Sequence, residues 1–375
     1  MRIAINTRLL LRGKMDGIGW FTYETARRIV ARHPEHEFYF LFDRRPAAEF
    51  LFGPNVHAVV LCPQARHPVL WYLYFEWATR WALKRHKIDL YVSTDGMMPL
   101  HGGVPTLTVI HDLNFEHAEG NLKRSHQWYM TRYYCQFAQR ATRVATVSEY
   151  SKGDIAATYG IDPAKIDVVY DGAHSGYRPH SEAEKTAIRQ RFTDGKPYII
   201  FISTILKRKN LANLLTAFDR LRSAEAVDWK LVVVGAKVWW QDELAEAYER
   251  MQHKGEVVMC GHVEPQDLAA LLSASVALVY PSYFEGFGIP ILEAMYAETA
   301  VVASQTTSMP EVGGEAALYV DPASVDDIYH AIRSLQDNRL REELIAKGRR
   351  QREKFSWEHT ANLLWESMMK TLREP

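Results

Sequence analysis

Short runs of β-branched and aromatic residues alternate along almost the whole chain with segments of helical periodicity, and this alternation restricts the fold more than any other feature. The runs are RIAIN, EFYFLF, DLYVS, TLTVI, RVATVS, KIDVVY, YIIFIS, KLVVVG, EVVMC, VALVYP and AVVAS; between them stand segments such as GWFTYETARRIVARH, NLANLLTAFDRL and QDLAALLSA. Strands that are apolar throughout and joined by helices belong to parallel sheets covered on both faces. The predicted fold class is α/β. The chain shows no solenoid-type repeat and no low-complexity tract.

One break interrupts the pattern. The stretch DGAHSGYRPHSEAEK, Asp171 to Lys185, is polar and turn-rich, and a fresh series of strands and helices begins after it at YIIFIS. A length of 375 residues exceeds one ordinary core and suits two domains. The expected division is a Rossmann-like domain over 1–175, a second over 176–355, and a C-terminal segment, 356–375. That last segment reads as an amphipathic helix with Trp357, Leu363, Leu364 and Met368 available for packing, expected to cross back to the first domain. Two such halves would face a cleft with the carboxyl ends of their sheets, where open α/β sheets bind ligands.

Composition removes several classes of function. Hydrophobic residues make up 47% and charged residues 24%, which are globular values. With 45 basic and 45 acidic residues the formal charge is zero, which gives no electrostatic argument for nucleic acid as the main partner. The three cysteines, Cys62, Cys135 and Cys260, are far apart; this suits a reducing cytoplasm and excludes a disulfide framework or a cysteine-type zinc site. MRIAINTRLL lacks the long apolar stretch of a secretory signal. The longest uncharged stretch, Leu268 to Phe284, contains Ser273, Ser275 and Pro281 and is not expected to span a membrane.

The chemistry concentrates at strand ends. In EGFGIPILE, Pro290 suits the first turn of a helix, and Gly286 and Gly288 permit a ligand to come close to the backbone. A helix N-terminus offers N–H groups and a positive dipole end to a phosphate. Glu293, expected in the first turn, can accept two hydroxyl donors such as a ribose presents, and Glu285 can hold sugar hydroxyls. The spacing also suits an exposed turn with two solvated acids. In STILKRKNLANLL, Arg208 and Lys209 precede a helix, where two cations favour a diphosphate or simply form a solvated basic start. TVIHDLNFEH sets His111 and Asp112 just past a strand of the first half, at the cleft. DGIGWFTYETARR brings Gly17 and Gly19 to the entrance of the first long helix, but Thr22 stands where a dinucleotide fingerprint needs glycine. The turn is a candidate acceptor or phosphate loop. Neither HExxH nor a D-x-D pair occurs, so no metal is expected and the cations take over the diphosphate. The segment His67 to Lys87 carries three tryptophans and a basic end; it suits a membrane interface or a lipid tail, although a helix apolar on most sides is more often buried.

Together these pieces form an ordered series: GIGWFTYE, VIHDLNFEH, ATVSEYSKGDI, KIDVVYDGA, KRKNLANLLTAF, LVVVGAK, GHVEPQDLAALLSAS, YPSYFEGFGIPILEAM and SMPEVGGEAALYVDP. The series resembles the retaining glycosyltransferases of family 4, which have the two-domain GT-B fold. The resemblance covers nearly the whole chain, and its most specific element is the pair of glutamates eight residues apart, following RKNL. It implies that Glu293 binds the ribose, Glu285 lies beside the donor sugar, Arg208 and Lys209 clamp the diphosphate, and Gly286, Phe287 and Gly288 line the donor. His111 would contact the donor sugar from the first domain. Departures fall at Ser203 and Thr204, where family members often carry glycine and arginine, so Arg208 and Lys209 carry both cationic contacts.

The implied activity is metal-independent transfer of a hexose, mannose first, from a nucleotide-diphosphate sugar to a glycan or lipid-linked acceptor in polysaccharide assembly. GDP-mannose is the first donor to test and UDP-hexoses the second; no further cofactor and no nucleic-acid partner are expected. The place is the cytoplasm, with peripheral contact at the inner face of the membrane left open. The alternatives are a nucleotide-sugar epimerase, a phosphorylase of similar build, or a non-catalytic nucleotide-sugar-binding protein.

Overall fold

The computed structural model describes residues 1–117 and 123–374, in two compact units. One comprises Met1–Asp171 with Trp357–Pro375, the other Gly172–Ser356. The first holds a parallel sheet of β1 (Arg2–Asn6), β2 (Glu37–Phe42), β3 (Val56–Val60), β4 (Leu90–Ser93), β5 (Thr106–Val109), β6 (Arg143–Thr146) and β7 (Ile166–Val168). Its order is β3-β2-β1-β4-β5-β6-β7, so the direction of winding reverses between β1 and β4. The second unit holds β8 (Tyr198–Ile202), β9 (Lys230–Val234), β10 (Val257–Gly261), β11 (Ala277–Tyr280), β12 (Ala300–Ser304) and β13 (Ala317–Val320), in the order β10-β9-β8-β11-β12-β13. Here the reversal lies between β8 and β11. All the pairings are parallel, and the central strands are buried on both faces, as their unbroken apolar runs require.

Two strands are absent from the sequence-based prediction: β3, VHAVV, and β13, ALYV. Both are edge strands. An edge strand has a neighbour on one side only and needs less apolar surface; β3 is largely exposed.

The last helix, Trp357–Arg373, belongs to the first unit. Trp357, Leu364 and Met368 are buried in it, while Leu363 is only half-buried. Its polar positions reach β7 and the turn after it: the Thr360 hydroxyl donates to the Tyr170 carbonyl at 2.6 Å and Ser367 to the Asp167 carboxylate at 2.6 Å. Against the first long helix, Gly17–Arg32, Arg28 donates to Glu358 at 3.0 Å.

The aromatic segment corrects the expectation of burial. It forms a continuous rod of an α-helix, Pro68–Leu73, a π-helical turn, Tyr74–Thr79, and a second α-helix, Arg80–Arg85. Trp71, Tyr74, Phe75 and Leu83 face the core, but Trp77 and Trp81 are 68% and 60% exposed. The segment is apolar on two sides, and the core takes only one of them.

Candidate active site

The reversal between β8 and β11 brings two loops together in the second unit. After β8 the chain makes a short 3-10 turn, Lys207–Lys209, and enters the helix Leu211–Ala224 through Asn210, whose φ is +60°. The Asn210 side chain donates to the carbonyls of Pro281 at 2.9 Å and Pro322 at 2.6 Å, tying this turn to the loop that follows β11. The Tyr283 N–H donates to the Arg208 carbonyl at 2.8 Å and tightens the same junction. Between the two loops lies an ion-paired trio. Lys209 Nζ donates to Glu285 Oε1 at 2.6 Å and to the Tyr280 hydroxyl at 2.8 Å, and Arg208 Nη1 stands 3.2 Å from Glu285 Oε2. Lys209 and Glu285 are each 7% exposed. Burial alone would raise the Glu285 carboxyl, but the charges of Lys209 and Arg208 outweigh it and hold it down at about 2. The carboxylate is ionised, and two cations against one anion leave the trio with one positive charge.

The loop then turns into the helix Ile289–Tyr296 at Gly288, whose φ of +101° is open to glycine and strained for other residues. The loop is fastened from below. The Ser308 hydroxyl reaches the carbonyls of Glu285 and Phe287 at 2.9 and 3.0 Å, and the Phe287 ring is buried edge-on against Phe355. Phe287, expected among the donor-lining residues, thus anchors the loop with its side chain. Pro290 sits in the first turn, as expected, but Glu293 is the fifth residue of the helix, one turn further in than its spacing suggested. It is half-buried, and the Tyr177 hydroxyl is its polar neighbour. Burial pushes its carboxyl up to about 7, against the lowering effect of the Tyr177 hydroxyl.

The first unit presents a different arrangement at its own reversal. His111 follows β5 and its Nε2 lies 2.9 Å from the Thr94 carbonyl; since a carbonyl only accepts, Nε2 carries the proton. Burial lowers the imidazole pKa, partly opposed by that same hydrogen bond, so the ring is neutral near pH 7 and its Nδ1 is an acceptor. The Phe21 ring meets it edge-on at 5.0 Å. The loop carrying Thr94 is held by a buried network absent from the sequence-based reading. Asn6 donates to Asp95 at 2.8 Å, Arg8 Nε to Asp95 at 2.5 Å, and the Tyr134 hydroxyl to the Asp95 carbonyl at 2.9 Å. Asp112 caps the short helix Asn114–His117, its carboxylate accepting from the Asn114 N–H at 2.9 Å. Gly17 opens the helix Gly17–Arg32, and Gly19 donates its N–H to the capping Asp16 carboxylate at 2.9 Å. A Cβ on Gly19 would meet the Leu9 carbonyl oxygen at 3.0 Å, which explains the glycine by backbone packing.

Among the described residues, His33, Glu35 and His36 also bring ligand-type atoms within 4.8 Å of one another. Both imidazoles approach one Glu35 oxygen, at 3.4 and 3.3 Å, and Trp365 stacks on His33 at 3.6 Å, an arrangement that closes the end of the first long helix.

Residues 15–175 match Glycosyltransferase Family 4 and residues 183–351 match Glycosyl transferases group 1. The O-antigen chain mannosyltransferase B of Escherichia coli is 32% identical over 357 residues, spanning 92% of this chain and 93% of that protein. The chain belongs to the family 4 glycosyltransferases. The O-antigen chain mannosyltransferase RfbU of Salmonella typhimurium is 27% identical, over 76% of this chain and 75% of its own. Among solved structures, Anabaena HepE in complex with UDP and glucose superimposes with a TM-score of 0.75 at 18% identity, covering 99% of this chain and 100% of that one. The two parallel sheets are thus those of the GT-B glycosyltransferases, and the protein is a glycosyltransferase.

Proposed function

We propose that this glycosyltransferase moves a hexose, mannose first among the candidates, from a nucleotide-diphosphate sugar to a glycan or lipid-linked saccharide acceptor in polysaccharide assembly, with retention at the anomeric carbon and without a metal. The observation that carries the reading is the trio at the loop junction. Lys209 and Arg208 carry one more charge than Glu285 neutralises, beside a glycine-started helix, and this is a cradle for an anion bearing several charges. Each Glu285 oxygen has a second lone pair, so the carboxylate can hold the cations and accept a sugar hydroxyl together. Glu293 takes the ribose diol, and Tyr177 is placed to orient it. The mannosyl donor is favoured by the two O-antigen mannosyltransferase relatives. A UDP-hexose is the second choice, in line with the UDP and glucose held by HepE.

In this reading the first unit, Met1–Asp171 with Trp357–Pro375, binds the acceptor and the second, Gly172–Ser356, the donor. As the glycosidic C–O bond breaks, negative charge grows on the leaving diphosphate, and Arg208, Lys209 and the helix N-terminus stabilise it. The acceptor hydroxyl enters on the same face and passes its proton to the departing phosphate. Neutral His111 offers Nδ1 as an acceptor for a sugar hydroxyl. The reaction needs donor and acceptor alone, in the cytoplasm at the inner face of the membrane.

The test is a panel of GDP- and UDP-sugars scored for slow donor hydrolysis, with and without EDTA. Hydrolysis of GDP-mannose unaffected by EDTA supports the reading. Turnover lost to EDTA and restored by manganese would overturn the cation cradle, and an inverted product would overturn retention.

A further inference from the structure

We infer that the rod formed by residues 68–85, with the start of the helix Arg124–Arg140, is a docking face for an anionic phospholipid bilayer. Twelve large apolar side chains stand exposed among the described residues, and six belong to these two segments: Val69, Tyr72, Leu73, Trp77, Trp81 and Trp128. The rod supplies five of them, and Trp128 is 62% exposed on the neighbouring helix. The patch is continuous, because Tyr133 lies 6.3 Å from the Tyr72 ring and 6.4 Å from the Trp128 ring. Beneath it, Trp71 packs on His126 at 4.7 Å and on Tyr129 at 5.2 Å. The buried face therefore fixes the rod, and it cannot rotate to hide the outer tryptophans.

Charge decides what covers such a face. The whole chain is neutral, yet residues 63–88 and 123–140 hold nine lysines and arginines and one acid, Glu76. The Glu76 carboxylate turns inward, accepting from the Leu100 N–H and meeting His101 at 3.2 Å, with its side chain only 10% exposed. What solvent meets is tryptophan among the exposed cations Arg80, Lys84, Arg85, Lys123, Arg124 and Arg132. A second copy of the chain on this face would bury like charges against each other. An ordinary protein interface is depleted of lysine at its centre. Exposed aromatics at headgroup depth with lysine and arginine on the lipid phosphates form the pattern of an interfacial anchor. Among the described residues no helix is long and apolar enough to cross a membrane, so this contact is peripheral.

The inference gives a surface to the membrane-facing part of the proposed function, but its physics is independent of glycosyl transfer, and so is its test. The protein is sedimented with vesicles of phosphatidylcholine alone and of phosphatidylcholine with phosphatidylglycerol. Wild type is expected to bind the phosphatidylglycerol vesicles, with a blue shift of tryptophan emission, and to release as salt rises. Trp77→Ser/Trp81→Ser/Trp128→Ser should lose binding on the order of tenfold or more with circular dichroism and melting unchanged, since all three side chains are exposed. Arg80→Glu/Lys84→Glu should also lose on the order of tenfold, together with most of the salt dependence. A wild type that ignores phosphatidylglycerol, or a triple tryptophan variant that binds as wild type does, overturns the inference. So does self-association in the ultracentrifuge that the tryptophan substitutions abolish, which would assign the face to a second copy. Donor hydrolysis, measured separately, is untouched by any of these results.

Discussion

Glu285 and Glu293 lie eight residues apart on one loop and helix, and the protein treats them in opposite ways. Glu285 is buried against two cations and is held down at about 2. Glu293 is half-buried with no cation to offset its burial in the balance that sets its pKa, and it is pushed up to about 7. The same residue type thus yields a permanent anion that organises a phosphate cradle and a carboxyl that changes state near neutrality. Burial is common to both, and only the neighbouring charge decides the outcome. This is the pattern expected where two carboxylates have separate tasks.

The largest effect that can break this comparison is loss of the permanent anion. Glu285→Gln leaves Lys209 and Arg208 uncompensated and is expected to cost about 3–5 kcal/mol of stability, read as urea unfolding at pH 7. Because a carboxyl lowered on folding stabilises above its ordinary value of 4.5 and loses this as pH falls toward about 2, the variant's deficit should shrink in acid. A deficit independent of pH would show that the ion pairs are not its cause. Next comes Lys209→Ala, which should lower both donor affinity and turnover, since it removes charge from cradle and leaving group together. Donor affinity equal to wild type would remove Lys209 from the diphosphate.

Glu293→Gln should weaken nucleotide binding by about 1.5–3 kcal/mol, measured by calorimetry, because a charged acceptor becomes a neutral one. Its stability effect has the opposite sign to that of Glu285. A carboxyl raised on folding helps below 4.5 and loses this as pH rises through about 7, so the variant should gain on wild type between pH 5 and 8. The smallest effect is that of Tyr177→Phe. Removing the hydroxyl should shift the Glu293 titration upward, since that group lowers it. A downward shift would contradict the assigned contact.

Much of this was legible in the sequence because the signals are local. Unbroken apolar runs give buried parallel strands, and Gly288 followed by Pro290 marks a helix start whatever surrounds it. The parts that escaped depend on the tertiary fold. The edge strands β3 and β13 are short, and each is held as a strand by pairing with a single neighbour. Tyr177 lies in a polar turn stretch, and nothing local pairs it with a residue more than a hundred positions away. The Asn6–Arg8–Asp95 network likewise spans nearly ninety positions and forms only where β1 and β4 become neighbours. Glu285 and Lys209 were each legible as site residues, but their direct pairing was not, since it needs the reversal between β8 and β11. For the aromatic rod, hydrophobicity alone could not tell a two-sided helix from one buried all round, and the exposed tryptophans emerge only from the packing.

The division between the two glutamates is tested most directly by titrating the side-chain carboxyl carbons by NMR, with Glu285→Gln and Glu293→Gln to assign them. One glutamate is expected with a midpoint about 7 that vanishes in Glu293→Gln, while the resonance lost in Glu285→Gln stays ionised down to about 2. Both carboxyls titrating together at the ordinary value near 4.5 would contradict it.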